Sequence, residues 1–236
     1  MARLDVTPAV LHTLLKAYPF QDTSAEELQP LLSSFRRHHF DAGGFIWRQG
    51  DDATDLWFVL DGQVHSVHAS ADGDEVVTQV AGTGESFGQP ALFAPIARRM
   101  VSVVAIVSTD LARLPRDPLL RFVETHPAAL RRLLESMSLL VLSQSYLFSQ
   151  VAFHDVRGRV AYQLLKFADE YGEPVGGGLR IPFRLSQSTL AGLVASSRES
   201  TNRALNGFVT TGDIRQDAGH IIVIEREGLR RALTRG

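Results

Sequence analysis

Residues 185–208 read Leu185-Ser-Gln-Ser-Thr-Leu-Ala-Gly-Leu-Val-Ala-Ser-Ser-Arg-Glu-Ser-Thr-Asn-Arg-Ala-Leu-Asn-Gly-Phe208. Arg198, Glu199, Asn202 and Arg203 carry the chemistry that reads base edges. Arginine pairs bidentately with guanine O6 and N7, and glutamate accepts from cytosine N4. If 198–208 is helical, these four side chains share an arc of about 140°. Thr201, Leu205 and Phe208, spaced by four and three, then form the opposite, inner face. Ser200 joins the first turn on the DNA-facing side.

Two capped helices with a tight break between them would position this set. Ser186 is placed to cap the first, exposing backbone N–H groups, with Gln187 and Ser188 in the first turn able to donate to phosphate. Leu190, Leu193 and Val194 would hold that helix to a core. Ser197 is placed to cap the second. Further on, Ala218-Gly219 turns between Ile214-Arg215-Gln216 and His220–Ile224, a hairpin that reads as a wing. Upstream, Asp155 is an N-cap for a helix with Val156, Val160, Leu164, Phe167 and Tyr171 on its buried stripe. Glu173-Pro174 and Gly176-Gly177-Gly178 end it. Leu179–Leu185 reads as an edge strand because Pro182 lies inside it.

The first 35 residues read as helical. Leu4, Val10, Leu11, Leu14 and Leu15 recur at helical spacing, and Ser24-Ala-Glu-Glu27 is a capping box opening a helix to Phe35. From His39 to Arg113 the pattern changes to short runs of Val, Ile, Phe and Thr. They are broken at Ala42-Gly43-Gly44, Gly50-Asp51-Asp52, Asp61-Gly62, Ala71-Asp72-Gly73 and Gly82-Thr83-Gly84. Leu56–Leu60 and Gln63–Val67 read as strands of a barrel or sandwich with roughly eight strands. Ala128–Ala152 then has no glycine or proline and is apolar on more than one face. Leu130, Leu133, Leu134, Met137, Leu140, Val141, Leu147, Phe148 and Val151 need more cover than one domain supplies, so this helix is expected to pair with a second copy. Phe153-His154-Asp155-Val156 reads as a hinge.

The chain has 236 residues, 44% apolar and 21% charged, the composition of an ordinary globular protein. Net charge is −2, but residues 156–236 carry 12 basic and 8 acidic groups, leaving 12 basic and 18 acidic groups upstream. A basic carboxy-terminal part on an acidic amino-terminal part suits a DNA-contacting domain joined to one that does not touch DNA. With no cysteine, disulfides and thiolate-held metal or iron–sulfur sites are excluded. No signal peptide is read, and apolar runs such as Val103–Val107 and Leu139–Leu142 are too short to span a bilayer. A cytoplasmic protein without a membrane partner is expected.

Ser197-Arg-Glu-Ser-Thr-Asn-Arg-Ala-Leu205 resembles the recognition helix of the CRP/FNR family of bacterial transcription regulators, whose Ser-Arg-Glu-Thr-Val-x-Arg pattern is met at Ser197, Arg198, Glu199 and Arg203. Other motifs agree in order: the Gly-rich β-region, Phe87-Gly88-x-x-x-Leu92-Phe93, the long helix, and Phe153-x-Asp155-Val156-x-Gly158-Arg159-Val160. The resemblance spans about residues 18–225. It implies an α+β protein with a cyclic-nucleotide-binding-type β-roll (a jelly roll) and flanking helices over 1–127, a dimerisation helix over 128–152, a hinge over 153–156 and a winged helix-turn-helix over 157–236. It further implies a homodimer on a palindromic double-stranded operator with TGTGA-like half-sites about one helical turn apart, and RNA polymerase as a partner. In that reading Arg198 and Arg203 take guanines and Glu199 the cytosine opposite.

In cyclic-AMP-binding relatives the cassette is Phe-x-Gly-Glu-x-x-Leu-Phe followed by Arg-Ser or Arg-Thr. The arginine neutralises the cyclic phosphate and the glutamate accepts from the ribose hydroxyl. Here the residues are Phe87-Gly88-Gln89-Pro90-Ala91-Leu92-Phe93 and then Arg98-Arg99-Met100. Gln89 replaces the glutamate. The phosphate arginine is Arg98 or Arg99, and the hydroxyl position is then Arg99 or Met100, without a hydroxyl either way. Gln144 and Ser145 on the long helix match positions that face a purine base. Three readings of the pocket stand: cyclic AMP or a related cyclic nucleotide as effector, another anion or nucleotide, or no effector. Among eight histidines, no spacing supports haem at His65 or His68.

The leading function is thus an allosteric, sequence-specific DNA-binding regulator. A cyclic-nucleotide-type regulatory subunit acting on a protein partner is the alternative, but it would have no reason for a winged helix-turn-helix. No nucleophile–base pair, no His-Glu-x-x-His and no phosphate loop is present, so no enzyme and no metal site are expected.

Overall fold

The computed structural model describes residues 2–69, 75–217 and 219–234. The Ala71-Asp72-Gly73 break and Ala218 of the wing turn lie outside the described residues. The chain divides into two compact units, residues 1–74 with 78–143, and residues 75–77 with 144–236.

The first unit starts with β1 (Ala2–Arg3), α1 (Pro8–Lys16) and α2 (Ala25–Leu32), followed by β2 (Arg36–Phe40), β3 (Phe45–Trp47), β4 (Asp55–Asp61) and β5 (Gln63–Ala69). Next come β6 (Glu75–Gly82), β7 (Ser86–Phe87), α3 (Gln89–Phe93), β8 (Ser102–Ala105), β9 (Thr109–Pro115) and α4 (Arg116–Thr125). The strands form two antiparallel sheets, in the orders β1-β2-β9-β4-β7 and β3-β8-β5-β6. This is the expected β-roll.

β4 shows why the roll needs helices. Its residues Asp55–Leu60 are all buried. Successive side chains of a strand point to opposite faces. Leu56, Phe58 and Leu60 enter a core shared with α1, α2 and α4, where Phe20, Phe35, Phe58 and Phe122 meet ring to ring. Trp57 and Val59 enter the roll interior with Trp47, Phe87, Val103 and Leu111. Asp55 shares the parity of Trp57 and so faces that interior. In β9, Ala112 and Leu114 join the helical core while Leu111 lines the inner one.

The amino-terminal residues extend the roll. Ala2 and Arg3 pair with Arg37 and Arg36, and Leu14 of α1 is fully buried. The capping box at Ser24 is present, with Ser24 N–H donating to Glu27 at 2.7 Å and Glu27 N–H to Ser24 Oγ at 3.2 Å. The helix ends at Leu32 rather than Phe35, since Ser34 N–H turns back to Leu31 O.

The long helix, α5, spans Pro127–Phe153, one residue longer at each end than the sequence suggested. Ala129 and Leu133 are buried, whereas Leu134, Leu139, Val141, Leu142, Phe148 and Phe153 are exposed. Among the described residues no helix is long and apolar enough to cross a membrane.

The second unit contains α6 (Val156–Tyr171), β10 (Glu173–Val175), β11 (Gly178–Arg180), α7 (Gln187–Leu193) and α8 (Arg198–Thr210). It ends with the wing strands β12 (Ile214–Asp217) and β13 (His220–Val223), and with α9 (Arg226–Leu233). Its sheet order is β10-β11-β13-β12. Asp155 caps α6, accepting from Gly158 N–H at 2.8 Å. Only His154 and Asp155 separate α5 from α6, a shorter link than 153–156. Two expectations are corrected. The strand stops at Arg180, before Pro182, and lies inside the sheet rather than at its edge. The edges are β10 and β12, and in β10 Pro174 has no N–H to lose. Tyr171, expected on the buried stripe of α6, is 41% exposed, its ring edge-on to Phe183.

Candidate functional site

The helix pair is built from its caps. Ser186 Oγ accepts from Thr189 N–H at 3.0 Å, and Ser197 Oγ from Ser200 N–H at 3.2 Å. Between the helices Ala195 is left-handed, φ 47°. Ser196 N–H reaches Ala191 O at 3.0 Å and Ala195 N–H reaches Gly192 O at 3.2 Å. These two bonds make a Schellman turn, which stops α7 and sends the chain straight into the cap of α8. Arg159 Nη1 donates to Ala195 O at 3.0 Å, pinning the turn from α6. No periodicity in the sequence marks that role, although Arg159 stands in the quoted Gly158-Arg159-Val160 motif.

Thr201, Leu205 and Phe208 are buried, so α8 sits on its inner face as expected. Arg157 lies over the Phe208 ring at 4.4 Å. Arg198, Glu199 and Arg203 are exposed at the start of α8. Arg203 Nη2 donates to Glu199 Oε1 at 2.8 Å, both largely in solvent. Asn202 Nδ2 donates to Gln187 Oε1 at 2.7 Å, joining the first turns of the two helices. Ser188 is exposed beside Ser186, 2.8 Å between hydroxyls. Ser200 is engaged in the cap, its hydroxyl 3.1 Å from that of Ser197. Arg198 has no hydrogen bond or ion pair among the described residues. Arg184, which the sequence reading passed over, lies against the wing turn; a Cβ at Gly219 would meet its stem at 3.6 Å.

The second candidate site is a cavity of about 360 Å³ in the roll, lined by His38, Phe40, Ile46, Trp47, Asp51, Asp52, Asp55, Trp57, Arg99 and Arg113. Backbone pairing settles which arginine faces inward. Asp52 bridges Arg98, and Arg99 N–H reaches Asp51 O at 2.8 Å. Arg98 is thereby exposed, paired with Asp52 at 2.9 Å. Arg99 is 3% exposed and stacks on Trp47 at 3.9 Å. Its Nη2 donates to Asp55 Oδ1 at 2.5 Å and Asp55 O at 2.8 Å, and its Nη1 to Gly88 O at 3.2 Å. Burial pulls the Arg99 pKa down, and Asp55 opposes that shift. Gly88 is left-handed at φ 99°, and a Cβ there would stand 2.7 Å from Arg99 Nη1. Only glycine allows that approach.

Gln89 is buried, and its Nε2 donates to Ser86 Oγ at 2.8 Å and Ser86 O at 3.2 Å. Met100 is exposed. Gly88 and Arg99 are thus brought together, whereas Arg98 is not with them. Gln144 and Ser145 lie on α5 in the second unit. His38 is held below the usual imidazole range, by burial first and then by the Arg113 charge. No cluster of His, Asp or Glu among the described residues could hold a metal.

Residues 37–126 match the family described as Cyclic nucleotide-binding domain, and residues 158–232 match Crp-like helix-turn-helix domain. A CRP-like cAMP-activated global transcriptional regulator of Mycobacterium tuberculosis is 28% identical over 218 residues, 92% of this chain and 97% of that one. The Cyclic AMP receptor protein of Thermus thermophilus is 29% identical over 87% of this chain and 92% of its own. The solved structure of the c-di-GMP responsive global regulator CLP from Xanthomonas campestris superposes with a TM-score of 0.74 at 25% identity, covering 85% of this chain and 99% of that one. A match to a cyclic nucleotide-binding domain followed by one to a Crp-like helix-turn-helix, together with relatives that are CRP-like regulators, places this chain in the CRP/FNR family of transcription regulators.

Proposed function

We propose that this protein is a homodimeric, sequence-specific regulator that binds a palindrome with TGTGA-like half-sites. The observation that carries the reading is the start of α8, where Arg198, Glu199 and Arg203 are exposed together on a helix capped by Ser197 and seated on α7. Arg198 and Arg203 take guanines, and Glu199 the opposed cytosine. Gln187 and Ser188, at the first turn of α7, donate to phosphate.

Dimerisation is supported by α5. Leu134, Val141 and Phe148 stand seven residues apart and are 58%, 68% and 76% exposed. A seven-residue apolar repeat on a helix is a coiled-coil seam. Two copies would then present two α8 helices to successive major grooves. RNA polymerase is the partner through which such a regulator acts.

The roll is the control domain, with a cyclic nucleotide as its class of input. Such a ligand acts only through different affinities for two arrangements of the dimer. The relatives named above are described as answering to different cyclic nucleotides, one to cyclic AMP and one to cyclic di-GMP. A gel-shift assay tests the regulator reading. Retardation of the TGTGA palindrome but not of a scrambled duplex supports it, and equal retardation overturns it.

A further inference from the structure

We infer that Asp55 is a specificity-determining residue that lowers the affinity of the roll cavity for anionic effectors, its carboxylate competing with a ligand phosphate for Arg99. The inference rests on the control-domain reading and deepens it.

Asp55 is 5% exposed and held on every side. Its Oδ1 accepts from Arg99 and from Trp57 Nε1, each at 2.5 Å. Its Oδ2 accepts from Arg113 Nε at 2.6 Å and Thr54 Oγ1 at 2.9 Å. Its parity on β4 aims it inward, and Trp47 stacks on the same guanidinium. The ion pair is therefore preorganised.

The charge count of the cavity points the same way. Its lining holds three carboxylates, Asp51, Asp52 and Asp55, against two guanidinium groups, Arg99 and Arg113. An entering phosphate meets no excess positive charge. To take the Nη2 edge of Arg99 it must displace Asp55, leaving a buried carboxylate short of its partner, which is strongly unfavourable. The hydroxyl donor to the phosphate is missing as well, and the residue at the sugar-facing position carries no charge. Met100 has no hydroxyl, and the Gln89 amide is turned to Ser86. Arg99 is not saturated, since its buried Nε has no partner among the described residues. Asp55 has taken its charge rather than its whole donor set.

The test is calorimetry of the full-length protein with cyclic AMP and, in parallel, adenosine, at about 0.15 M salt. Asp55→Asn keeps size and an acceptor but removes the charge. Its association constant for cyclic AMP should exceed the wild type's by at least about tenfold, with no comparable gain for adenosine. Adding Arg99→Gln should erase the gain. If Asp55→Asn does not fold, Asp55→Asn with Arg113→Gln keeps the cavity's net charge and should show the same gain. Cyclic AMP binding equally well to wild type and variant, or better to wild type, overturns the inference. Operator gel shifts on the same proteins separate the two readings. A missing gain with intact operator discrimination counts against Asp55 alone. A gain without any change in operator affinity overturns the control-domain reading instead.

Discussion

Arg203 and Glu199 are already paired before any DNA arrives, and both are largely exposed. A pair of this kind adds only a few tenths of a kcal/mol to a helix, so the proposed base-reading role can be tested apart from stability. Arg203→Ala should leave unfolding stability within about 0.5 kcal/mol of wild type. It should reduce discrimination at one guanine of the half-site by about 1–3 kcal/mol, read from competition with a duplex mutated at that position. His38 gives a pH test. Its Nε2 is buried without a partner among the described residues, and it sits beside Arg113, whose charge Asp55 opposes, so the folded chain resists protonating it. A folded pKa below the unfolded one means stability is full above about pH 6.5 and falls as acid protonates the unfolded imidazole. His38→Gln should flatten the melting temperature between pH 6.5 and 5. The exposure of Arg198, Glu199 and Arg203 together at the start of one helix was legible in the sequence because side-chain type and helical spacing define it. The choice between Arg98 and Arg99 was not, because it is made by the bridge from Asp52 to Arg98, 46 residues apart in number. Asp55 was missed for the same reason, since its two arginine partners, Arg99 and Arg113, stand 44 and 58 residues further along the chain.

At the scale of elements, α7 and α8 depend on two serine caps and one left-handed alanine. Ser197→Ala should destabilise α8 by about 1 kcal/mol and speed amide exchange in its first turn. Ala195→Gly removes the steric cost of a β-carbon at φ 47°, about 1–2 kcal/mol for a non-glycine residue. Slower amide exchange across α7 and α8 is the expected result, and faster exchange would show that the turn is not left-handed in solution. Both caps were readable from sequence, since serine before an apolar-periodic run has a local cause. The turn residue was not, because alanine gives no sign of a positive φ; the conformation is imposed by the Schellman bonds and by Arg159. The strand at Leu179 was mislocated because Pro182 was read as lying within it. The pairing of β11 with both β10 and β13 is set by tertiary contacts that local composition does not carry.

At the scale of the molecule, the roll and helix-turn-helix plan was visible as a change from short runs broken by glycine and aspartate to helical patterning, and as a charge asymmetry between the two parts. The first residues were read as helical, yet Ala2–Arg3 is a strand and the first helix begins at Pro8, because pairing β1 with β2 requires the roll to exist first. The exposed seam on α5 was visible only as excess apolar surface. Val141→Asp should convert a dimer to a monomer in sedimentation and weaken operator binding. The most direct measurement is a fluorescence-anisotropy titration at about 0.15 M salt. It compares a TGTGA palindrome with the same duplex altered at the guanines that the proposal assigns to Arg198 and Arg203. The account requires one dimer per palindrome and an affinity about 10³-fold or more above the altered duplex. Equal affinity for both duplexes, or saturation by a monomer on a single half-site, would contradict it.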